Sequence, residues 1–158
     1  MFHFRKKIID HHIYAPVNGS SIPLHQVKDP VFAEKLMGDG IAFLWNEEMI
    51  YAPCNGKIIV IAATKHAIGI KADNGAEVLL HIGLDTVNLH GKGFTPLKKC
   101  GDVIKCGEPI MRVDQSFMKE KQMDLTMPMI ITNTNDFTLT IASTNEVSSG
   151  KSVVITCE

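Results

Sequence analysis

The chain carries seven histidines in 158 residues, and two of them stand where strand geometry can bring them together. In Thr64-Lys65-His66-Ala67-Ile68-Gly69-Ile70, a period of two puts Thr64, His66, Ile68 and Ile70 on one face. In Glu77-Val78-Leu79-Leu80-His81-Ile82-Gly83, Leu79, His81 and Gly83 share a face, opposite Val78, Leu80 and Ile82. Between the two runs lies Ala72-Asp73-Asn74-Gly75, a hairpin turn signal. Pairing outward from that turn sets His81 against Lys65 or His66, to within one residue. Two imidazoles then stand side by side, flanked by Thr64, Ile68 and Leu79, with Asp85 just downstream. His3, His11, His12, His25 and His90 fall in polar or turn segments and read as solvated.

Paired imidazoles among apolar neighbours suit two chemistries. The first is a metal site, which needs a third ligand and preferably a fourth. Asp85 is a candidate, but the residue two after His81 is Gly83, so an H-x-H zinc element is missing. The second is a histidine nucleophile whose neighbour donates a hydrogen bond to the transferred group. That role needs one ring nitrogen free and the other held by an acceptor, which fixes the tautomer. The backbone around Gly83 can supply the acceptor carbonyl.

The elements that must position these residues read almost entirely as strands. IIVIAAT, AIGIKA, EVLLHIG, DVIKC, IMRVD, MIITN, FTLTIA and SVVITC are short runs rich in β-branched residues, separated by Gly, Pro, Asn and Asp. Asp29-Pro30 followed by Val31, Phe32, Leu36 and Gly38 predicts one short helix, with Asp29 as N-cap and Gly38 as the left-handed stop. A second is predicted over Gln115 to Gln122. Many short strands with this punctuation indicate an all-β sandwich or barrel. Two echoes suggest duplicated hairpins: Tyr14-Ala-Pro-Val-Asn-Gly19 returns as Tyr51-Ala-Pro-Cys-Asn-Gly56, and the turn around Gly107 returns around Gly150. One domain is expected over residues 14–158, after a flexible leader over residues 1–13. Phe2, Phe4, Ile8 and Ile9 beside Arg5, Lys6 and Lys7 leave an amphipathic anchor as the alternative for that leader.

Composition removes several classes. A formal charge of −1 argues against a dedicated nucleic-acid binder. The longest fully apolar run, Ile58 to Ala63, is far short of the ~20 residues of a membrane helix. The first residues lack the apolar stretch of a secretory signal. Cys54, Cys100, Cys106 and Cys157 form no CxxC pair and read as reduced thiols of a cytoplasmic protein.

The segment Leu80-His81-Ile82-Gly83-Leu84-Asp85-Thr86-Val87-Asn88-Leu89-His90-Gly91-Lys92-Gly93-Phe94 resembles the active-site signature of the glucose-type enzyme IIA domains of the bacterial phosphoenolpyruvate-dependent sugar phosphotransferase system. Ala15-Pro16, Val27 to Phe32, Gly38-Asp39-Gly40, Ala52-Pro53, Gly56, Thr64 to Ala67 and Ile130 to Asn133 match further landmarks of that family in order. The resemblance implies an antiparallel β-sandwich, a barrel-like hybrid with a few short helical turns. It implies that His81 accepts a phosphoryl group from the phosphocarrier protein HPr and passes it to the IIB domain of a sugar permease. His66 would support the phosphoryl group, Thr64 would orient His66, and the Gly83 carbonyl would orient His81. Val31, Phe32, Ile68, Leu79 and Val87 would form an apolar partner-binding rim, with Phe32 its one aromatic anchor and Asp29 and Asp85 its acidic neighbours. No cofactor or metal is required, since the group moves between protein side chains. The expected molecule is a free-standing monomer without stable membrane insertion, and a signalling role toward regulatory protein targets can coexist with transfer. A biotinyl- or lipoyl-type carrier is the rival reading. It needs a Lys at a hairpin tip, and the nearest analogue, Met127-Pro128-Met129, has Pro in that place.

Overall fold

The computed structural model describes residues 8–158. The predicted strands form, joined by others that the run-by-run reading passes over. An eight-stranded antiparallel sheet runs in the order β13-β2-β3-β11-β7-β6-β5-β9. Its members are β2 (Gly19–Pro23), β3 (Asp39–Trp45), β5 (Gly56–Ile61), β6 (Ala67–Ala72), β7 (Glu77–His81), β9 (Val103–Ile104), β11 (Met127–Ile131) and β13 (Glu146–Val147). Two three-stranded sheets, β1-β14-β12 and β4-β10-β8, complete the architecture. They are built from β1 (His12–Tyr14), β4 (Met49–Tyr51), β8 (Phe94–Pro96), β10 (Pro109–Val113), β12 (Leu139–Ile141) and β14 (Val153–Cys157). The fold is thus an antiparallel sandwich with no closed barrel.

The strand orders expose the duplication. Exchanging β1 with β4, β2 with β5, β3 with β6, β7 with β11, β8 with β12, β9 with β13 and β10 with β14 maps the large sheet onto itself and the small sheets onto each other. The repeated Tyr-Ala-Pro-x-Asn-Gly segments sit on this pseudo-twofold axis and bond reciprocally. Tyr14 N–H donates to the Pro53 carbonyl and Tyr51 N–H to the Pro16 carbonyl, both at 2.8 Å. Gly107 N–H reaches the Ala52 carbonyl and Gly150 N–H the Ala15 carbonyl, both at 2.9 Å. Asn55 Oδ1 accepts from Cys106 N–H at 2.8 Å, and Asn18 Oδ1 from Ser149 N–H at 2.9 Å. The second echo is therefore part of the same duplication as the first.

The main core lies between the large sheet and the two small ones. Ile41, Phe43, Ile58, Ile68, Ile70, Val78, Leu80, Met129 and Ile131 face Ile13, Ile50, Phe94, Ile110, Met111, Val113 and Ile155 there. A second cluster covers the outer face, where Leu24, Val27, Phe32, Ala42, Leu84 and Ile130 pack with Ile22 and Leu79. Alternate residues of β11 thus meet different cores, so all five are buried and the strand reads as continuously apolar. Its Met127-Pro128-Met129 lies inside a buried strand, not at a hairpin tip, which removes the geometric basis for the carrier reading.

Both predicted helices form and are shorter than expected. α1 (Pro30–Ala33) is capped by Asp29, whose carboxylate accepts from Val31 N–H at 3.0 Å. Only one turn persists, and the chain continues through turns to Gly38 instead of a longer helix. α2 (Gln115–Glu120) is capped by Asp114 through Phe117 N–H at 3.0 Å, and Gln122 turns left-handed beyond it. Among the residues expected to form a flexible leader, His12 and Ile13 belong to β1, so the ordered fold begins before residue 14. Residues 1–7, which carry most of the amphipathic alternative, lie outside the described residues. No helix among the described residues is long and apolar enough to cross a membrane.

Candidate functional site

His81 is the last residue of β7, and His66 is the last residue before β6. The hairpin turn at Ala72 to Ala76 sets the register so that Ala67, not His66, stands opposite His81. The ladder continues one step further as Ile82 N–H donates to the His66 carbonyl at 2.7 Å. His66 belongs to the turn between β5 and β6, closed by Lys65 N–H on the Ala62 carbonyl at 2.7 Å, with Lys65 left-handed at φ 60°. Free of strand alternation, its ring comes to the His81 side. The ring centroids are 5.0 Å apart with an interplanar angle of 79°.

Each imidazole is held by one nitrogen. His81 Nδ1 lies 2.8 Å from the Gly83 carbonyl oxygen. A carbonyl only accepts, so Nδ1 carries the proton and Nε2 is left with its lone pair. His66 Nδ1 lies 2.6 Å from Thr64 Oγ1, which fixes that ring in turn. Gly83 adopts φ 83°, a left-handed conformation suited to glycine. A Cβ there would come within 2.6 Å of Thr86 Cγ2 and 3.0 Å of the Asp124 carbonyl. The local sequence therefore admits the carbonyl orientation that His81 uses. Beyond it, Asp85 and His90 are also left-handed, at φ 58° and 53°, and flank the 3-10 turn of Thr86–Leu89.

Burial pushes the pKa of His81 below the usual histidine value, against the smaller upward pulls of the Gly83 bond, Asp29 and Asp85. His66 is also lowered, by burial first and by His81 second. Both shifts favour the neutral ring, the form whose Nε2 lone pair can act as a nucleophile.

The other expected site residues divide. Val31 and Val87 are 40% and 46% exposed, each two residues after a carboxylate, Asp29 or Asp85, that acts on His81. Leu79 is half-buried on the His81 side of the sheet. The Phe32 ring packs against the His81 ring, tilted by 55° with centroids 4.8 Å apart, but only 3% of it is exposed, so it supports the site from within and is no surface anchor. Ile68 is a correction. It pairs with Leu80 and is fully buried in the main core, on the opposite face from His81. Its assignment to the rim fails because β6 starts at Ala67, which reverses the parity counted from Thr64. Thr86 was not among the expected site residues. Its side chain is fully buried and Oγ1 donates to the Ile82 carbonyl at 2.6 Å. Thr86 lies four residues after Ile82, a spacing at which Thr hydroxyls bond back to the chain. Among the described residues no three His, Cys, Asp or Glu side chains form a metal-holding group.

Such a site can accept a group on His81 Nε2 and contact it from His66, beneath a partly apolar surface. Comparison with known proteins points the same way. Residues 11–137 match the family described as phosphoenolpyruvate-dependent sugar phosphotransferase system, EIIA 1. The chain is 45% identical over 124 residues to the PTS system glucose-specific EIIA component of Oceanobacillus iheyensis, covering 78% of this chain and 75% of that one. It is 42% identical over 143 residues to the PTS system glucoside-specific EIICBA component of Staphylococcus carnosus, covering 90% of this chain but 21% of that longer protein. The solved glucose permease IIA from Mycoplasma capricolum superposes with a TM-score of 0.84 at 37% identity, covering 98% of this chain and 99% of that one. A chain that shares this sequence over most of its length and this fold over nearly all of it belongs to the EIIA 1 family of the phosphoenolpyruvate-dependent sugar phosphotransferase system.

Proposed function

We infer that the chain is a phosphoryl relay of sugar uptake in which His81 takes a phosphoryl group from phospho-HPr and gives it to the IIB domain of a glucose-type permease. The observation that carries this reading is the bond of His81 Nδ1 to the Gly83 carbonyl at 2.8 Å, which leaves Nε2 unprotonated beside a second imidazole. Nε2 attacks phosphorus in line, the N–P bond forms, and the bond from phosphorus to the donor's leaving atom breaks. The negative charge spreads over the three equatorial oxygens. His66, oriented by Thr64, donates from its other ring nitrogen to those oxygens. Phe32 and Leu79 shelter one side of the His81 ring and limit the approach of water. Reversal of the same step on a IIB acceptor returns the neutral imidazole. Both histidines come from one chain, so the chemistry needs no second copy and a monomer suffices. Incubation with phosphoenolpyruvate, enzyme I and HPr tests the relay. We expect one acid-labile phosphoryl group per chain, discharged when a glucose-type IIB domain is added. Label that stays on the chain in the presence of IIB would contradict the onward step.

A further inference from the structure

Ser21 and Thr86 are the only polar side chains among the described residues that the fold buries, and Thr86 is fully enclosed. No partner or substrate can reach it. Its hydroxyl instead acts on the backbone that orients His81. Thr86 Oγ1 donates to the Ile82 carbonyl at 2.6 Å. The N–H of Ile82 donates to the His66 carbonyl at 2.7 Å, so this one residue is tied to both histidine segments. The next peptide is held from the far side, where Leu84 N–H donates to the Asp124 carbonyl at 2.8 Å. Between the two anchored peptides sits Gly83, the residue with the most backbone freedom, and its carbonyl is the acceptor for His81 Nδ1. A glycine carbonyl keeps one direction only if the peptides on both sides are fixed. Asp124 fixes one of them, and the Thr86 hydroxyl fixes the other.

We propose that Thr86 is a positioning residue for His81: its hydroxyl pins the Ile82–Gly83 peptide, which aims the Gly83 carbonyl at Nδ1 and keeps Nε2 free as the nucleophile. The proposal rests on the reading of His81 as the phosphoryl acceptor. Without the hydroxyl the Ile82 carbonyl loses its partner, Gly83 rotates, and the ring proton redistributes to Nε2. The chain then presents the right residue in the wrong tautomer. The Thr86 methyl has a separate role, since Cγ2 packs close over Gly83. Hydroxyl and methyl can therefore be tested apart.

Three variants do so: Thr86→Ser keeps the hydroxyl, Thr86→Val keeps the shape, and Thr86→Ala keeps neither. Long-range proton–nitrogen NMR of the 15N-labelled histidine ring reads the tautomer of His81 at neutral pH without any phosphoryl donor. Wild type and Thr86→Ser should show one Nδ1–H tautomer. Thr86→Val should show a mixture with Nε2–H. In the same samples the saturating rate of phosphorylation by phospho-HPr should fall about fivefold in Thr86→Val, equivalent to ~1 kcal/mol. The half-saturating HPr concentration should not move, and Thr86→Ser should restore the rate. Wild-type ring signals and rate in Thr86→Val would overturn the proposal. So would an equal defect in Thr86→Ser, or failure of both Thr86→Val and Thr86→Ala to fold, since the hydroxyl would then serve the fold alone. Should wild type carry its phosphoryl group elsewhere, the relay reading falls, and the ring signals still decide whether Thr86 orients His81.

Discussion

In the proposed relay a histidine becomes a directed nucleophile through what holds its other nitrogen, and that control has a pH signature. Both His81 and His66 have pKa values lowered by burial. The unfolded chain then binds more protons than the native one as pH falls through about 6.5, so native stability falls with it. Above that value both states are neutral and the histidines contribute no pH dependence. Urea unfolding at pH 7.5 and 5.5 should show this loss. Replacing both histidines with Gln should remove part of it, while the carboxylates of the fold supply the remainder. An unchanged pH dependence in the double variant would show that neither ring is depressed. His66→Gln alone separates binding from transfer. Gln keeps an N–H donor, so His81 should still accept a phosphoryl group. It cannot match the charge response of imidazole, so onward transfer to IIB should slow by ~10-fold or more. Rapid-quench transfer assays check this, and a wild-type rate would make His66 a packing residue. At this scale the sequence was informative where chemistry and spacing coincide. The turn signal sets His66 near His81 although strand alternation does not carry through the turn, and the roles of Thr64 and Gly83 follow from the family resemblance. Thr86 was not legible, because a buried hydroxyl bonded to the backbone leaves no pattern beyond its position.

Elements set the accuracy with which those residues meet. The β6–β7 hairpin was readable to within one residue, and that one residue decides which side chains face out. Ile68 went to the core because β6 begins at Ala67 and the turn before it absorbs the odd residue. α1 shows the reverse case, in which a correct N-cap introduces only one turn. That turn nevertheless delivers Phe32 against the His81 ring, where it is almost wholly buried. Phe32→Ser should therefore destabilise the protein by ~3 kcal/mol or more, in the range of aromatic truncations in cores. Chemical denaturation measures this directly. A loss below ~1 kcal/mol would mean that the outer cluster does not depend on Phe32. β3 was the largest omission from the strand reading. Its residues, Asp-Gly-Ile-Ala-Phe-Leu-Trp, open on Asp and Gly, which are depleted in strands, and show no polar–apolar alternation, so the local sequence does not announce a strand. Tertiary pairing with β2 and β11 supplies what propensity lacks.

The whole molecule is two interlocked copies of one hairpin pattern, and the echo at Tyr14 and Tyr51 was its visible trace. The pairing of the copies across the large sheet was not visible, since contacts between residues far apart in sequence leave no local period. The duplication makes an asymmetric use of a symmetric frame. The strand end at His81 carries the imidazole pair, while its counterpart at the end of β11 is Ile131, buried in the core. We expect partners to approach the sheet end that carries the imidazole pair, where Asp29 and Asp85 act on His81 and Val31 and Val87, two residues after them, are exposed. Replacing both valines with Ser should weaken HPr binding about fivefold or more, at low and at high salt, because apolar contact is screened little by ions. Titration calorimetry at two ionic strengths checks it. Unchanged affinity, with loss on adding salt alone, would place the interface in the charges instead. The most direct test of the relay is the site of the phosphorus itself. Phosphorus–nitrogen NMR on the 15N-histidine-labelled protein, charged with phosphoenolpyruvate, enzyme I and HPr, should show a single bond from phosphorus to Nε2 of His81. Phosphorus on Nδ1, on His66 or on no histidine would contradict the account.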